Sequence, residues 1–221
     1  MLVGCGQQRH LISSNEGIAD CSDAEVYKTL YINKIDAKVS LNDDSYDDKL
    51  VLYYVPDSII FLSASNAGFE IVRIGVFQDS TVLINRIDKM VFILKNDSMG
   101  NPPPVNFNDL EFLLDKNIRC RKKEGAVRKD DLLVYDFSVQ DIAKYARVNR
   151  VNQDLHNFEF FQKKTGEYLV GEFAADGEIV LYSNFIVDNI TIKARGGNLT
   201  LNKILEIDLK VNKAKYDFIL L

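Results

Sequence analysis

The feature that most constrains the fold is a series of short apolar stretches in the first half of the chain, separated by a few turn-forming residues. From Ile35 to Leu41 hydrophobic and polar residues alternate, which is the period of a β-strand with one buried face. Further apolar stretches follow at residues 50–55, 58–64, 69–77, 81–86 and 90–94. Strands that recur this closely, with short connections between them, predict an antiparallel meander.

Several of these predicted strands are apolar on both faces. Consecutive residues of a strand point to opposite sides, yet residues 59–62 are all hydrophobic and residues 90–94 include no polar side chain. An antiparallel sheet with one face in water should alternate, so both faces of this sheet must be covered. Four coverings remain open: helices packed on one face, a two-layer sandwich, a dimer interface, or a curled sheet whose concave face is an apolar cavity.

Helix signals interrupt the predicted strands. Ser22 and Glu25 form a capping-box pattern that predicts a short helix over residues 23–31. Asn106 is a typical N-cap, and the hydrophobic residues after it share one face of a second helix over 107–114. Ser138 is a candidate cap for a third helix that ends near Tyr145. Strands are predicted again at residues 132–137, 158–162, 168–173, 178–187, 190–194 and 204–211.

Composition and charge argue against several classes of function. The 221 residues have a formal net charge of −5, whereas a nucleic-acid-binding protein normally has a basic face. The longest apolar runs are far shorter than the about 20 residues that a transmembrane helix requires. With two histidines, three cysteines and no C-x-x-C spacing, the sequence predicts no metal site. It also lacks a G-x-S-x-G elbow and a phosphate-binding glycine loop, so we expect neither an enzyme nor a cofactor.

The residues LVGC at positions 2–5 resemble the lipobox of bacterial lipoproteins. In such proteins the chain is cleaved before the cysteine, whose thiol receives the lipid that holds the protein at a membrane. The resemblance implies Cys5 as the lipid-attachment residue, with a lipobox remnant and polar tether over 1–20 and a single β-rich domain over 21–221. The alternative is a chance LVGC at the frayed terminus of a cytosolic protein.

A lipobox predicts a place in the bacterial cell envelope, and we expect lipid anchoring at the outer membrane on the periplasmic side. The periplasm is oxidising, which makes Cys21 and Cys120 candidates for a disulfide. Two free thiols are the alternative at these positions.

The order of tether, meander, capped helix after a proline-bearing loop and further hairpins resembles the LolA/LolB superfamily of lipoprotein-localisation factors. A group of Bacteroidota-type lipoproteins of that superfamily is the most similar. The likeness rests on LYINKIDAKVS (30–40), on GFEIVRIGVFQDSTVLINRIDK (68–89) and on the amphipathic stretch after Asn106. It covers about residues 26–118, and the rest of the chain agrees in strand pattern.

This resemblance implies an antiparallel, unclosed β-barrel (α+β, mainly β) with a helical lid. Its concave face would accept an acyl chain or another hydrophobic ligand without covalent chemistry. The cavity candidates are Ile60, Leu62, Phe69, Ile71 and Phe77, and the lid candidates are Phe107, Leu110 and Leu114. The implied partners are a lipid or acyl chain, the membrane through the lipid anchor, and possible envelope proteins. The alternative function is that of a non-catalytic structural lipoprotein, a protein–protein scaffold in envelope assembly.

One turn departs from the superfamily's pattern. The outer-membrane receptor of the superfamily has an exposed hydrophobic loop that touches the bilayer. The corresponding turn here, SASNAG at 63–68, is small and polar. The sequence therefore predicts no bilayer-touching loop within this turn.

Overall fold

A computed structural model describes residues 27–41, 44–95, 105–122, 125–174, 176–184 and 190–220. Within these residues the chain forms fifteen strands and two α-helices. The strands of the first half are β1 (Leu30–Leu41), β2 (Asp44–Val55), β3 (Ile59–Asn66), β4 (Phe69–Val76), β5 (Ser80–Asn85) and β6 (Met90–Lys95). The helices α1 (Phe107–Leu114) and α2 (Lys116–Arg121) follow.

The second half of the chain returns to strands. They are β7 (Val127–Lys129), β8 (Leu132–Asp136), β9 (Ile142–Asn149), β10 (Leu155–Gln162), β11 (Tyr168–Phe173), β12 (Ile179–Ser183), β13 (Ile190–Arg195), β14 (Asn198–Leu201) and β15 (Asp217–Leu220). A 3-10 turn at Lys213–Lys215 precedes the last of them.

All fifteen strands belong to one sheet. Its order is β15-β6-β5-β4-β3-β2-β1-β13-β12-β11-β10-β9-β8-β7, with β14 also paired to β1. Neighbouring strands are antiparallel except β15, which runs parallel to β6. In the part of the chain that the structure describes, the end strands β7 and β15 do not pair with each other, so the sheet stays unclosed. The predicted meander is confirmed, and the fold is mainly β with few short helices.

Strand β1 joins the two halves of the sheet. Its second half pairs with β13 and its first half with β14, while β2 lies along its other edge. The pairing of β1 with β2 shifts between Ile32 and Ile35, where Lys34 has a φ of 56°. Gly197 lies against this bulge with a φ of +111°, and a Cβ there would stand 2.6 Å from Cγ2 of Ile32. Glycine is therefore required where β13 turns into β14.

Two faces of the sheet are distinguished by what packs on them. We call the face that contacts α1 and α2 the inner face, and the opposite one the outer face. On the outer face, Tyr53, Ile59 and Phe61 pack against residues of the segment 203–211, which we call the strap. The strap leads from β14 towards β15, and the side chains that it packs against the sheet are Leu205, Ile207 and Leu209.

The strap passes close to the backbone of the sheet. A Cβ at Gly75 would stand 2.6 Å from Cδ1 of Leu209, so glycine lets the strap approach β4. Arg73 donates a hydrogen bond to the carbonyl of Asp208, and Thr29 donates one to the carbonyl of Lys203 over 2.7 Å. These contacts fix the strap near both of its ends.

The structure corrects three predicted elements. The helix predicted over 23–31 is absent from its described part, because residues 27–29 are not helical and β1 begins at Leu30. The third helix is wrong, since residues from Ile142 onward form β9 between β8 and β10. The strand predicted over 204–211 is the strap, which alternates between half-buried and exposed residues outside the sheet. In each case long-range pairing or packing overrides the local signal.

The helix predicted after Asn106 is confirmed. The Asn106 side chain accepts from the amide of Asp109, and the Asp109 carboxylate accepts from the amide of Asn106. This reciprocal capping box satisfies two amides at the start of α1.

Candidate functional site: an apolar row on the inner face

Seven apolar residues stand side by side on the inner face, one from each of seven strands. The register of neighbouring strands aligns them, and paired residues lie on the same face of a sheet. We call them the inner apolar row: Ile32, Leu52, Leu62, Ile74, Leu83, Phe92 and Ile219. All seven are partly exposed rather than buried. A continuous, half-exposed apolar strip of this kind is typical of a binding surface.

The helix α1 covers the edge of this row. Tyr54 and Ile60 lie one row further along the same face, and they form a buried cluster with Phe107, which is 1% exposed. Leu52 packs against this cluster, and so do Leu110 and Leu114 of α1. Helix α1 therefore borders the inner apolar row directly.

Glu111 ties α1 to the strands of the first half. Its Oε1 accepts a hydrogen bond from the Tyr54 hydroxyl over 2.9 Å and another from the amide of Asp57 over 2.7 Å. Burial raises the pKa of Tyr54 well above its usual range, and the bond to Glu111 adds to this effect. Tyr54 therefore stays a neutral donor at physiological pH.

Asp109 ties the same helix to the strands of the second half. Its Oδ2 lies 2.5 Å from Nζ of Lys144 on β9, and both side chains are nearly enclosed, at 10% and 3% exposed. Two acidic residues that are two positions apart in α1 thus hold the helix to both halves of the sheet. The charges are satisfied inside the fold, where water is largely excluded.

Arg119 of α2 closes the other end of α1. One of its guanidinium nitrogens donates to the carbonyls of Phe112 and Leu113 over 2.9 and 2.8 Å, where α1 has no basic residue of its own. Burial lowers the pKa of Arg119, although nearby Asp115 and Asp154 oppose that effect. Arg119 therefore holds the C-terminal end of α1 to α2.

The half of the inner face beyond α1 is filled. Phe112 and Ile118 of the helices pack there against buried residues of β8–β10, among them Leu133, Val148 and Phe160. Gly171 makes room for the ring of Phe158, because a Cβ at that position would collide with it. Half-exposed apolar residues of the inner face also lie beside the row, at Leu50 and Val72, which the register joins through Ala64.

The structure distributes the residues predicted from the sequence over several places. Ile60, Leu62, Phe107, Leu110 and Leu114 lie together on the inner side.

The other three predicted residues lie elsewhere. Phe77 packs in the outer cluster with the strap, on the side away from Ile60. Phe69 is 78% exposed at the start of β4, directly after the small polar turn 63–68. Ile71 falls where the pairing of β3 with β4 shifts by one residue.

Six residues of the row were not among the predicted site residues: Ile32, Leu52, Ile74, Leu83, Phe92 and Ile219. Each belongs to a stretch that is apolar in the sequence, so the signal was present. Their alignment depends on strand register, and two β-bulges set that register.

Several residues that the sequence singles out fall outside the described part. Cys5, Cys21 and the tether over 1–20 all lie there. Cys120, buried in α2, is disulfide-bonded. Across the described residues no helix is long and apolar enough to cross a bilayer, and His, Cys, Asp and Glu side chains form no metal-binding group.

Comparison with solved structures identifies the fold. The chain superposes on a putative outer membrane lipoprotein-sorting protein domain from Vibrio parahaemolyticus with a TM-score of 0.53 and 10% identity, covering 83% of this chain and 89% of that one. This likeness shows a shared fold and confirms the LolA/LolB-like half-barrel predicted from the sequence. Sequence searches against family models and curated proteins find no match.

Two further structures show weaker similarity. A LolA superfamily protein from Nitrosomonas europaea has a TM-score of 0.47 and 9% identity, with 82% of this chain and 90% of that chain covered. A DUF1329 family protein from Desulfovibrio piger has a TM-score of 0.46 and 9% identity, with 87% and 91% covered.

Proposed function

We propose that the protein binds a hydrophobic guest, such as the acyl chain of a lipid or lipoprotein, without covalent chemistry. The observation that carries this proposal is the inner apolar row, which runs across seven strands and stays half-exposed beside the lid helix. An acyl chain laid along it would remove apolar area from water on both partners. Each Å² contributes about 25 cal/mol, so a chain of ordinary length gains several kcal/mol.

In this mechanism α1 is the movable cover. Its Asp109 and Glu111 are held by polar groups of the sheet, and water can replace those partners when the helix shifts. Its Phe107 and Leu110 would exchange their contacts with Ile60 and its neighbours for contacts with the guest. The protein would thereby carry a guest with no bond made or broken.

The proposed place of action is the bacterial envelope, at the periplasmic side of the outer membrane. The disulfide at Cys120 supports an oxidising compartment, and the lipobox supports a lipid anchor at Cys5. The Vibrio domain is described as a putative outer membrane lipoprotein-sorting protein, which agrees with a role in lipoprotein or lipid trafficking.

A matched pair of variants on β5 tests the proposal. Leu83 lies in the inner apolar row and the adjacent Val82 points to the outer face, while both are partly exposed. Leu83→Gln should weaken binding of a fluorescent fatty acid such as cis-parinaric acid about tenfold, because it removes roughly 1.5 kcal/mol of apolar contact. Val82→Gln should leave the affinity unchanged. Equal losses in both variants, or no saturable binding to the unaltered protein, would contradict the proposal.

A protein–protein scaffold is the second candidate, and the filled half of the inner face favours it. Native mass spectrometry of the protein purified from cell envelopes separates the two functions. A carrier should retain lipid at a stoichiometric level. A scaffold should carry no lipid besides the one attached at Cys5, and should arrive with an envelope protein bound.

A further inference from the structure

Strand β7 forms one edge of the sheet and is exposed along its whole length. Val127, Arg128 and Lys129 are all exposed, whereas Ala126 just before them is 7% exposed and packs in the core of the second half. The strand is therefore held in place at its start, and within the described chain no strand pairs with its other side. An edge of this kind can accept an additional strand.

The backbone of Arg128 faces this free side. Lys129 and Leu132 flank a two-residue turn and form the pair whose hydrogen bonds close it. Bonded and non-bonded pairs alternate along an antiparallel ladder, so Arg128, which is paired with Leu133, directs its N–H and C=O away from β8. These two groups are available to a strand laid against β7.

Positive charge is concentrated around the same edge. We call the exposed cations of α2, of the residue after it and of β7 the basic edge: Lys116, Arg121, Lys122, Arg128 and Lys129. None of them forms an ion pair with a described residue, and the described stretches 116–122 and 125–129 include no carboxylate. In a chain with a net charge of −5, such a group of unpaired cations indicates an acidic partner.

The cations lie on both sides of the sheet edge. Arg128 shares the inner face with Leu133, to which it is paired. The Tyr135 hydroxyl donates to the carbonyl of Arg119 over 3.2 Å, which places the end of α2 on that face as well. Lys129 points to the outer face, because successive side chains of a strand alternate. A strand added at β7 would present its own alternate side chains to both groups of cations.

We propose that the basic edge binds an extended acidic segment of a partner protein, which adds to the sheet beside β7. The backbone of the segment pairs with the N–H and C=O of Arg128, and its carboxylates lie against Arg128, Lys129 and the exposed end of α2. An anionic membrane has the charge but no backbone to pair with the free edge. Asp130 and Asp131 follow in the turn and would repel carboxylates, so the acidic part of the segment ends before them.

This surface is separate from the inner apolar row. Strand β7 is the last strand of the sheet order on the side of the second half, whereas the row lies on seven strands from β1 to β15. The proposal therefore holds whether or not the row binds an acyl chain.

Synthetic peptides test the strand pairing on the intact protein. A fluorescein-labelled octapeptide of alternating glutamate and valine should bind with one site in fluorescence anisotropy at pH 7. Its affinity should fall about fivefold when the salt is raised to about 0.5 M, because salt screens exposed charges. The same peptide with every backbone amide methylated should not bind, since it cannot donate to the edge. No binding of the unmethylated peptide, or equal binding of the methylated one, would overturn the proposal.

Two double variants locate the site. Arg128→Gln with Lys129→Gln removes both cations of β7 and should weaken binding of the glutamate–valine peptide about fivefold. Lys213→Gln with Lys215→Gln removes the same charge from exposed residues before β15, at the opposite edge of the sheet, and should leave the affinity unchanged. Equal losses in the two double variants would show attraction by net charge alone and would refute the assignment. All four side chains are exposed, and thermal unfolding checks that both variants are folded.

Lipid vesicles distinguish an acidic protein segment from a membrane surface. Vesicles of equal parts phosphatidylcholine and phosphatidylglycerol should leave the labelled peptide bound, because they cannot pair with the backbone of β7. Displacement of the peptide by these vesicles, but not by phosphatidylcholine alone, would assign the basic edge to an anionic membrane and overturn the proposal.

Discussion

Lys144 is a charged residue in a place where charged residues are rare. Its side chain is 3% exposed, and its ammonium group meets Asp109 and lies 5.9 Å from the centre of the Phe160 ring. Removing two charges from water is costly, and a buried ion pair often adds little net stability compared with apolar residues of the same volume. We interpret this pair as fixing α1 in its covering position when no guest is bound, since only that placement of the helix satisfies both charges.

Breaking the pair on one side should therefore be more damaging than removing it altogether. Lys144→Met leaves the Asp109 carboxylate buried without its cation, and should lower the free energy of unfolding by about 3 kcal/mol. Urea denaturation followed by circular dichroism measures this loss.

The double variant Lys144→Met with Asp109→Asn supplies the control. The carboxamide introduced by Asp109→Asn would keep the capping bond to the amide of Asn106, so more than half of the lost stability should return. Additive losses in the double variant would show that the two side chains do not act as a pair.

At the scale of elements, the strap depends on a charged cluster of the outer face. Glu70 bonds the guanidinium groups of Arg73 and Arg86 as well as the Ser63 hydroxyl. Arg73 also reaches the strap carbonyl of Asp208. Partial burial by itself would raise the pKa of Glu70, but these hydrogen bonds outweigh it and hold the pKa below its ordinary value of 4.5.

The depressed pKa predicts a pH-dependent contribution to stability. It is fully present above the ordinary pKa of glutamate, and is lost as the pH falls through the lower pKa of folded Glu70. Glu70→Gln should therefore cost about 1 kcal/mol at pH 7, a value reduced by the partial exposure of the cluster. Below the folded pKa the variant and the unaltered protein should converge.

Urea midpoints between pH 7 and pH 3 test this dependence. Glu206→Gln, an exposed carboxylate on the strap, is the control and should match the unaltered protein at every pH. A deficit of Glu70→Gln that stays constant down to pH 3 would contradict the assignment of the charge.

The same scale shows what the sequence could predict. The hairpins of β2–β6 and the capped helix α1 follow from local signals: alternation, turn residues and the Asn106 cap. Strand β9 does not, because Ala143 and Lys144 have no β preference and the strand exists only through its two neighbours. Apolar and polar residues do alternate in the strap, because one side packs on the sheet and the other faces water. This alternation does not show whether a segment forms backbone hydrogen bonds with a neighbouring strand.

The candidate site was predictable in part, for a related reason. Ile60 and Leu62 follow from the double-sided apolar pattern, as do the apolar residues of α1. The sequence could not show that Phe77 lies on the opposite face. The bulge between Ala64 and Ser65 shifts the pairing of β3 with β4 by one residue, so counting alternate residues from one strand to the next assigns Phe77 to the wrong face. The complete inner apolar row needs the register of seven strands, which a single sequence does not mark.

At the scale of the whole molecule, the disulfide bond at Cys120 is a covalent constraint on α2. Arg119 of α2 also caps the C-terminal end of α1. The disulfide bond should therefore stabilise both helices as well as the whole fold. Cys120→Ala should cost about 3 kcal/mol.

Thermal unfolding with and without dithiothreitol measures this contribution. The reductant should lower the midpoint of the unaltered protein to near that of the variant, and should leave the variant unchanged. A midpoint that is insensitive to the reductant in both proteins would contradict a structural role for the bond.

The pairing of β1 with β13 affects how the chain folds during its synthesis. Nearly every other strand pairs with its neighbour in sequence, whereas Leu41 must find Ile190 across most of the polypeptide. Such a distant contact is slow to form, because the loop it closes is long. During synthesis the unpaired edge of β1 would stay exposed to pairing with other chains until the last hairpins have been made. The pairing of β1 with β13 unites the two halves of the sheet. Until this pairing forms, the newly synthesised chain is most prone to aggregation.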